Sequence, residues 1–328
     1  MDNYYNHYFD PDYFIKKEAQ KSEIKNLGLY VGFALICQIV LQHIFSFAIE
    51  ISGLSEKYLS DGIFQNCADV IIVFISFLLP FYLTGKKMKA VSGATDPVPL
   101  GRPTDGVSFV LAVVAGIGVC MIANIATTYL TVIMSLFGFE LTSPDLAMPT
   151  GTVGVLTSII RLVVVAAVAE ELTLRGYVMG NLRKYGDKFA ILVSAIVFAL
   201  MHGNLIQAPF ALIAGFGIGY FTVKTGTVWT GIAIHAANNF ISTAISYAME
   251  SFSEEAVSLF YTFILYGFII FGFVSMWLLR TRNTLTLSTD YLGTPAKEKM
   301  KAFFLNPAMI IALGYMIYIT TKFIGFKF

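Results

Sequence analysis

Nine apolar runs constrain this chain more than any other feature. They cover residues 27–51, 63–84, 107–137, 151–174, 189–203, 206–223, 227–249, 256–279 and 305–323. The hydrocarbon core of a bilayer is about 30 Å thick, and a helix crosses it in about 20 residues. The backbone finds no water there, so a helix that bonds its own amides is the natural spanning element. Composition points the same way. Hydrophobic residues make up 56% of the chain and charged residues 13%, where a soluble domain carries about 25% charged residues. The chain is read as an all-α, polytopic membrane helix bundle of about eight to nine transmembrane helices. A polar, tyrosine-rich tail (1–26) precedes a single membrane domain (27–328).

Charge orients the bundle and excludes some partners. Lys plus Arg (22) nearly balance Asp plus Glu (21), and no basic run suggests nucleic acid. With the N-terminus in the cytosol, eighteen Lys and Arg fall on that side, Arg175, Arg183 and Lys184 among them. Three fall on the other (Lys57, Lys322, Lys327), and Arg161 lies within a run. The bias predicts an integral membrane protein with a cytoplasmic N-terminus, and with the C-terminus outside unless the last segment is a re-entrant or surface helix. The tail lacks the pattern of a secretory signal, so the first helix reads as an uncleaved anchor. Cys37, Cys67 and Cys120 are odd in number and form no CxxC, which predicts neither disulfides nor a cysteine metal site. Gly215 and Gly219 have the small-xxx-small spacing that lets helices pack closely.

The stretch "VAEELTLRGY" (168–177) ends the fourth run with Glu170, Glu171 and Arg175. An ionised group at membrane depth costs about 2.5–3.5 kcal/mol even on the lenient insertion scale, so it needs partners or a task. His202 and His235 also lie within apolar runs; His43 stands alone in the first and reads as a packing residue, and His7 is in the tail. The fourth and fifth helices are expected to turn at Tyr185-Gly186-Asp187. Glu170 is 16 residues before Gly186 and His202 is 16 after it, which places both about 24 Å from the turn. Residues four apart share a helix face. Glu171 is therefore expected to pair with Arg175, Glu170 to point elsewhere, and His235 to share a face with Asn239.

These groups suit peptide hydrolysis. Glu170 can take a proton from water, His202 can hold that water, and His235 with Asn239 can donate to the developing oxyanion. Glu170, His202 and His235 are also acceptable zinc ligands with water in the fourth position, although no HExxH occurs. Both readings stay open at this point.

The patterns E-E-x-x-x-R (Glu170, Glu171, Arg175), F-x-x-x-H (Phe198, His202) and H-x-x-x-N (His235, Asn239) resemble the CPBP family. That family comprises type II CAAX prenyl endopeptidases and bacteriocin-processing, Abi-like intramembrane proteases. The flanks "LRGYVMGNL" and "GTVWTGIAIHAANN" add to the likeness, which covers residues 150–245; Leu174 stands where many relatives have Phe. The resemblance implies a catalytic core at 150–245 and hydrolysis of a membrane-associated peptide or protein. Glu170 and His202 would activate water, His235 and Asn239 would form the oxyanion site, and Glu171 with Arg175 would support the geometry. It leaves metal dependence undecided. The alternatives are a non-catalytic membrane immunity or binding protein and an ion-coupled transporter. The two halves lack matching broken helices, which counts against the transporter.

Overall fold

A computed structural model describes residues 11–103, 105–282 and 287–326. Every apolar run is helical. The helices are α1 (Pro11–Ile51), α2 (Ser55–Ser60), α3 (Gly62–Ser92), α4 (Gly106–Leu136), α5 (Gly151–Tyr185), α6 (Asp187–Met201), α7 (Ala208–Thr225), α8 (Val228–Ser251), α9 (Glu254–Arg282), α10 (Ala296–Phe304) and α11 (Pro307–Thr321). By length and composition α1, α3, α4, α5 and α9 can each cross a membrane; α10 and α11, bent by 82°, make a sixth candidate if taken together. At 15 residues α6 spans only about 22 Å. His7 lies outside the described residues.

Caps and turns set the helix ends. The Asp61 carboxylate accepts from the amides of Ile63 and Phe64 to start α3, and left-handed Gly93 (φ 67°) stops it. The α5–α6 turn falls where the sequence predicts it, at Gly186 (φ 106°), a conformation that a side chain disfavours. Gly215 and Gly219 bring α7 onto α6: a Cβ at Gly215 would lie 3.2 Å from Ala195 Cα, and one at Gly219 would lie 3.2 Å from Ile191 Cγ2.

Two buried clusters organise the bundle. One joins residues of α1, α3, α5, α6, α7 and α11. The other joins α4, α7, α8 and α9. The wall between them carries the polar residues of α5 and α8.

Opposite faces of the bundle differ in character. On the basic face, the segment after α9 straps the α5–α6 turn, with Asp187 accepting from Ser288 N at 2.7 Å. Lys299 Nζ donates to Tyr185 O at 2.8 Å, and Gln20 of α1 donates to Asp290 at 2.9 Å. This strap leads into α10. On the other face β1 (Phe139–Leu141) pairs antiparallel with β2 (Ile324–Phe326), Glu140 opposite Gly325.

Candidate active site

α5 is not a uniform α-helix. Two π-helical stretches, Ile159–Val165 and Leu172–Met179, flank a short α-helical piece, Ala166–Glu171. π turns are rare and recur at functional sites. Glu170 and Glu171 stand at the end of that piece, where the helix changes pitch.

Glu171 and Arg175 are fully buried and paired at 3.0 Å. Arg175, counted above among the charges of a cytosolic loop, is a buried residue of the bundle; an isolated guanidinium could not stay there, and its partners explain its position. Its Nη2 also donates to Gly215 O at 3.2 Å, and its guanidinium sits 4.7 Å from the Phe198 ring centroid. Glu171 Oε1 also receives the Nδ1 proton of His235 at 2.9 Å. This bond was not anticipated. His235 does not simply face the reacting group beside Asn239; one of its nitrogens is held by Glu171, which leaves Nε2 for chemistry.

Glu170 is not the partner of Arg175, whose ion pair is with Glu171. Glu170 Oε2 lies 3.9 Å from His235 Nε2, and its side chain keeps 17% exposure beside the fully buried Glu171. The gap exceeds a hydrogen bond, and separations of this size are commonly bridged by water.

His202 caps α6, and its Nδ1 donates to Phe198 O at 2.8 Å. That bond assigns the proton to Nδ1 and leaves an acceptor at Nε2. The His202 ring meets Phe198 edge-on at 4.8 Å, and the His235 ring meets the same Phe198 at 5.7 Å. Phe198 thus carries both histidines and Arg175 on one side chain. Asn239 donates from Nδ2 to Leu162 O at 2.9 Å, a carbonyl in the first π stretch. A carboxamide nitrogen has two N–H groups, so one remains for a ligand.

Glu171 Oε2, Arg175 Nε and Thr222 Oγ1 are buried without a hydrogen-bond partner among the described residues. A Cβ at Gly231 of α8 would fall 2.8 Å from Glu171 Oε2 and 2.9 Å from Thr222 Oγ1. The bare backbone at Gly231 is what admits the carboxylate.

No group of three His, Cys, Asp or Glu side chains among the described residues is placed to hold a metal ion. Of the zinc candidates Glu170, His202 and His235, the last keeps Nε2 for a ligand, since Glu171 holds its Nδ1.

Sequence reasoning passed over a second polar cluster. Arg161 of α5 pairs with Asp69 of α3 at 2.6 Å and donates to Asn66 Oδ1 at 2.9 Å. Asp69 and Asn66 lie in an apolar run of their own. An acid and a base in separate apolar runs were the available signal, since each is costly without the other.

Fold and site together define a polytopic membrane protein with an ionisable centre buried in its helical wall. Residues 152–241 match the family model described as type II CAAX prenyl endopeptidase Rce1-like. That range contains Glu170, Glu171, Arg175, His202, His235 and Asn239, and over it the resemblance to the CPBP family holds. The match supports intramembrane CAAX-type proteolysis as the broad activity. No curated protein and no solved structure matches the chain.

Proposed function

We propose that the chain is an intramembrane endopeptidase that hydrolyses a peptide bond in a membrane-associated protein or peptide. Its catalytic core, at 150–245, sits within one membrane domain spanning 27–328, and the basic face lies in the cytosol. The observation that carries the reading is the relay from Arg175 through Glu171 to His235, with Glu170 beside the far nitrogen of that imidazole.

Each part has a task. Glu170 takes a proton from a water that His202 Nε2 holds by its lone pair. The water oxygen attacks the scissile carbonyl. Asn239, through its second N–H, and His235, through an Nε2 proton, donate to the oxyanion. Donation from both nitrogens of His235 needs the imidazolium, whose charge together with that of Arg175 the two glutamates match. Glu170 then returns its proton to the departing amide nitrogen as the C–N bond breaks. Glu171 and Arg175 orient His235 and do not touch the reacting atoms. If zinc is required, Glu170, His202 and His235 are the side chains that would have to draw together to hold it, and zinc would supply a more acidic water.

The test uses the purified chain in liposomes with an internally quenched, farnesylated CAAX-type peptide and its unprenylated twin. Glu170→Gln and His202→Ala are expected to lower kcat by about 10²–10⁴-fold, the range of general acid–base contributions. Chelation and metal restoration, run in parallel, read out metal dependence. Full turnover by Glu170→Gln, or no cleavage of either peptide by the wild type, overturns the proposal.

A further inference from the structure

Three contacts hold α8 against α5, and only the deepest belongs to the glutamate relay. The first is His235 to Glu171 at 2.9 Å. The second is Asn239 Nδ2 to Leu162 O at 2.9 Å. The third is the Tyr247 hydroxyl, 2.8 Å from Ser158 Oγ and 3.0 Å from Pro149 O. The third meets the residue just before the first π stretch, Ile159–Val165, and the second meets a carbonyl inside it. A backbone carbonyl of α5 thus holds the Asn239 carboxamide nitrogen, while the neighbouring Asn238 Nδ2 donates to its Oδ1 at the longer distance of 3.4 Å.

A π turn departs from the regular i→i−4 ladder, so its carbonyls are aimed by what surrounds the helix. Arg161, next to Leu162, is the residue that anchors this turn. Its guanidinium grips α3 at two residues, Asp69 Oδ2 at 2.6 Å and Asn66 Oδ1 at 2.9 Å. Both ends of the grip are themselves held. Asp69 Oδ1 accepts from the Tyr58 hydroxyl of α2 at 2.6 Å, and Asn66 Nδ2 donates to Ser158 Oγ at 2.9 Å. Asn66 and Ser158 are fully buried and Asp69 is nearly so. A planar guanidinium held at two points fixes direction as well as distance.

We propose that Arg161 is a positioning residue for Asn239: by clamping the π turn of α5 to α3, it aims the Leu162 carbonyl that orients the Asn239 carboxamide. The inference rests on Asn239 acting in the site as proposed above. Arg161 touches no reacting atom and acts only through the turn.

Kinetics and structure test it together. Arg161→Met and Arg161→Lys are compared with wild type on the farnesylated quenched peptide, alone and in an Asn239→Ala background. Lysine keeps the charge opposite Asp69 but loses the two-point grip. If Arg161→Met does not fold, Asn66→Ala, which removes one of the two acceptors, takes its place. The expected result is a kcat lowered about tenfold or more, in keeping with the sensitivity of catalysis to small misplacements, with KM unchanged. In the Asn239→Ala background the same change has no further effect, because residues that act through one another are not additive. Losses that multiply with Asn239→Ala, a wild-type kcat, or a change in KM alone overturn the inference. Glu170→Gln run beside these variants separates the two claims: if it stays active the reading of the site has failed, whereas if it is dead and the Arg161 variants are normal only the positioning role has failed. Should the wild type cleave neither peptide, an experimental structure of the Arg161→Lys variant decides. Loss of the Asn239–Leu162 bond supports the role, and its retention with an unchanged π turn overturns it.

Discussion

Glu171 and Arg175 have no exposure at all, so removing either strands the other. Glu171→Ala leaves a buried guanidinium without its countercharge, a change that costs about 3–5 kcal/mol in comparable pairs. Glu171→Gln keeps an acceptor and is expected to lose less stability while still losing activity, as unfolding in detergent and peptide turnover will show. Gly231 supplies a sharper probe. Its missing Cβ would lie 2.8 Å from Glu171 Oε2, so Gly231→Ala must displace the carboxylate from His235 or Arg175. We expect Gly231→Ala to fold and to lose turnover by about tenfold or more; normal kinetics would show that the carboxylate has room to spare. At this scale much was legible before any coordinates. The i, i+4 spacing predicted the Glu171–Arg175 pair. The partners of His235 and Asn239 were not legible, because they come from another helix. No periodicity within one helix reports which carboxylate or carbonyl a second helix will present.

α5 is the element on which the site depends, and its π stretches leave no signature in composition. They are packing outcomes, fixed by what α3, α6 and α8 place against the helix. α7 shows the opposite case, where two glycines announce a contact. They differ in what a side chain would meet. Gly215 faces the Cα of Ala195, and its carbonyl accepts from Arg175. Gly219 faces side chains only, Ile191 Cγ2 at 3.2 Å and Met179 Sδ at 3.5 Å. Gly215→Leu is therefore expected to push α7 off α6, break the Arg175 contact and abolish turnover. Gly219→Ala is expected to be tolerated, since Ile191 needs to yield only a few tenths of an ångström. Equal effects of the two substitutions on melting and activity would refute the distinction.

Across the whole molecule, hydropathy located nine of the eleven helices among the described residues, missing the short α2 and α10, and it did not locate the helix ends. It marks the part of a helix that suits hydrocarbon, so α1, which begins at Pro11 among the described residues, runs through a charged stretch that the sequence assigned to the tail. The Lys and Arg bias assigns the N-terminus to the cytosol, and topology mapping tests that orientation. Reporter fusions at residues 94 and 147 are expected to fall on opposite sides of the membrane, with residue 94 cytosolic. Finding both on one side would break the topology and the proposed cytosolic access together.

The β ribbon also bears on biogenesis. Glu140 stands opposite Gly325, so the strand leaving α4 is inserted long before its mate exists. At about 5–20 residues synthesised per second, that edge waits on the order of 10–40 s for closure. Whatever shields it during translation, a nascent chain halted before the last strand would present an open edge to the aqueous compartment and be marked for quality control.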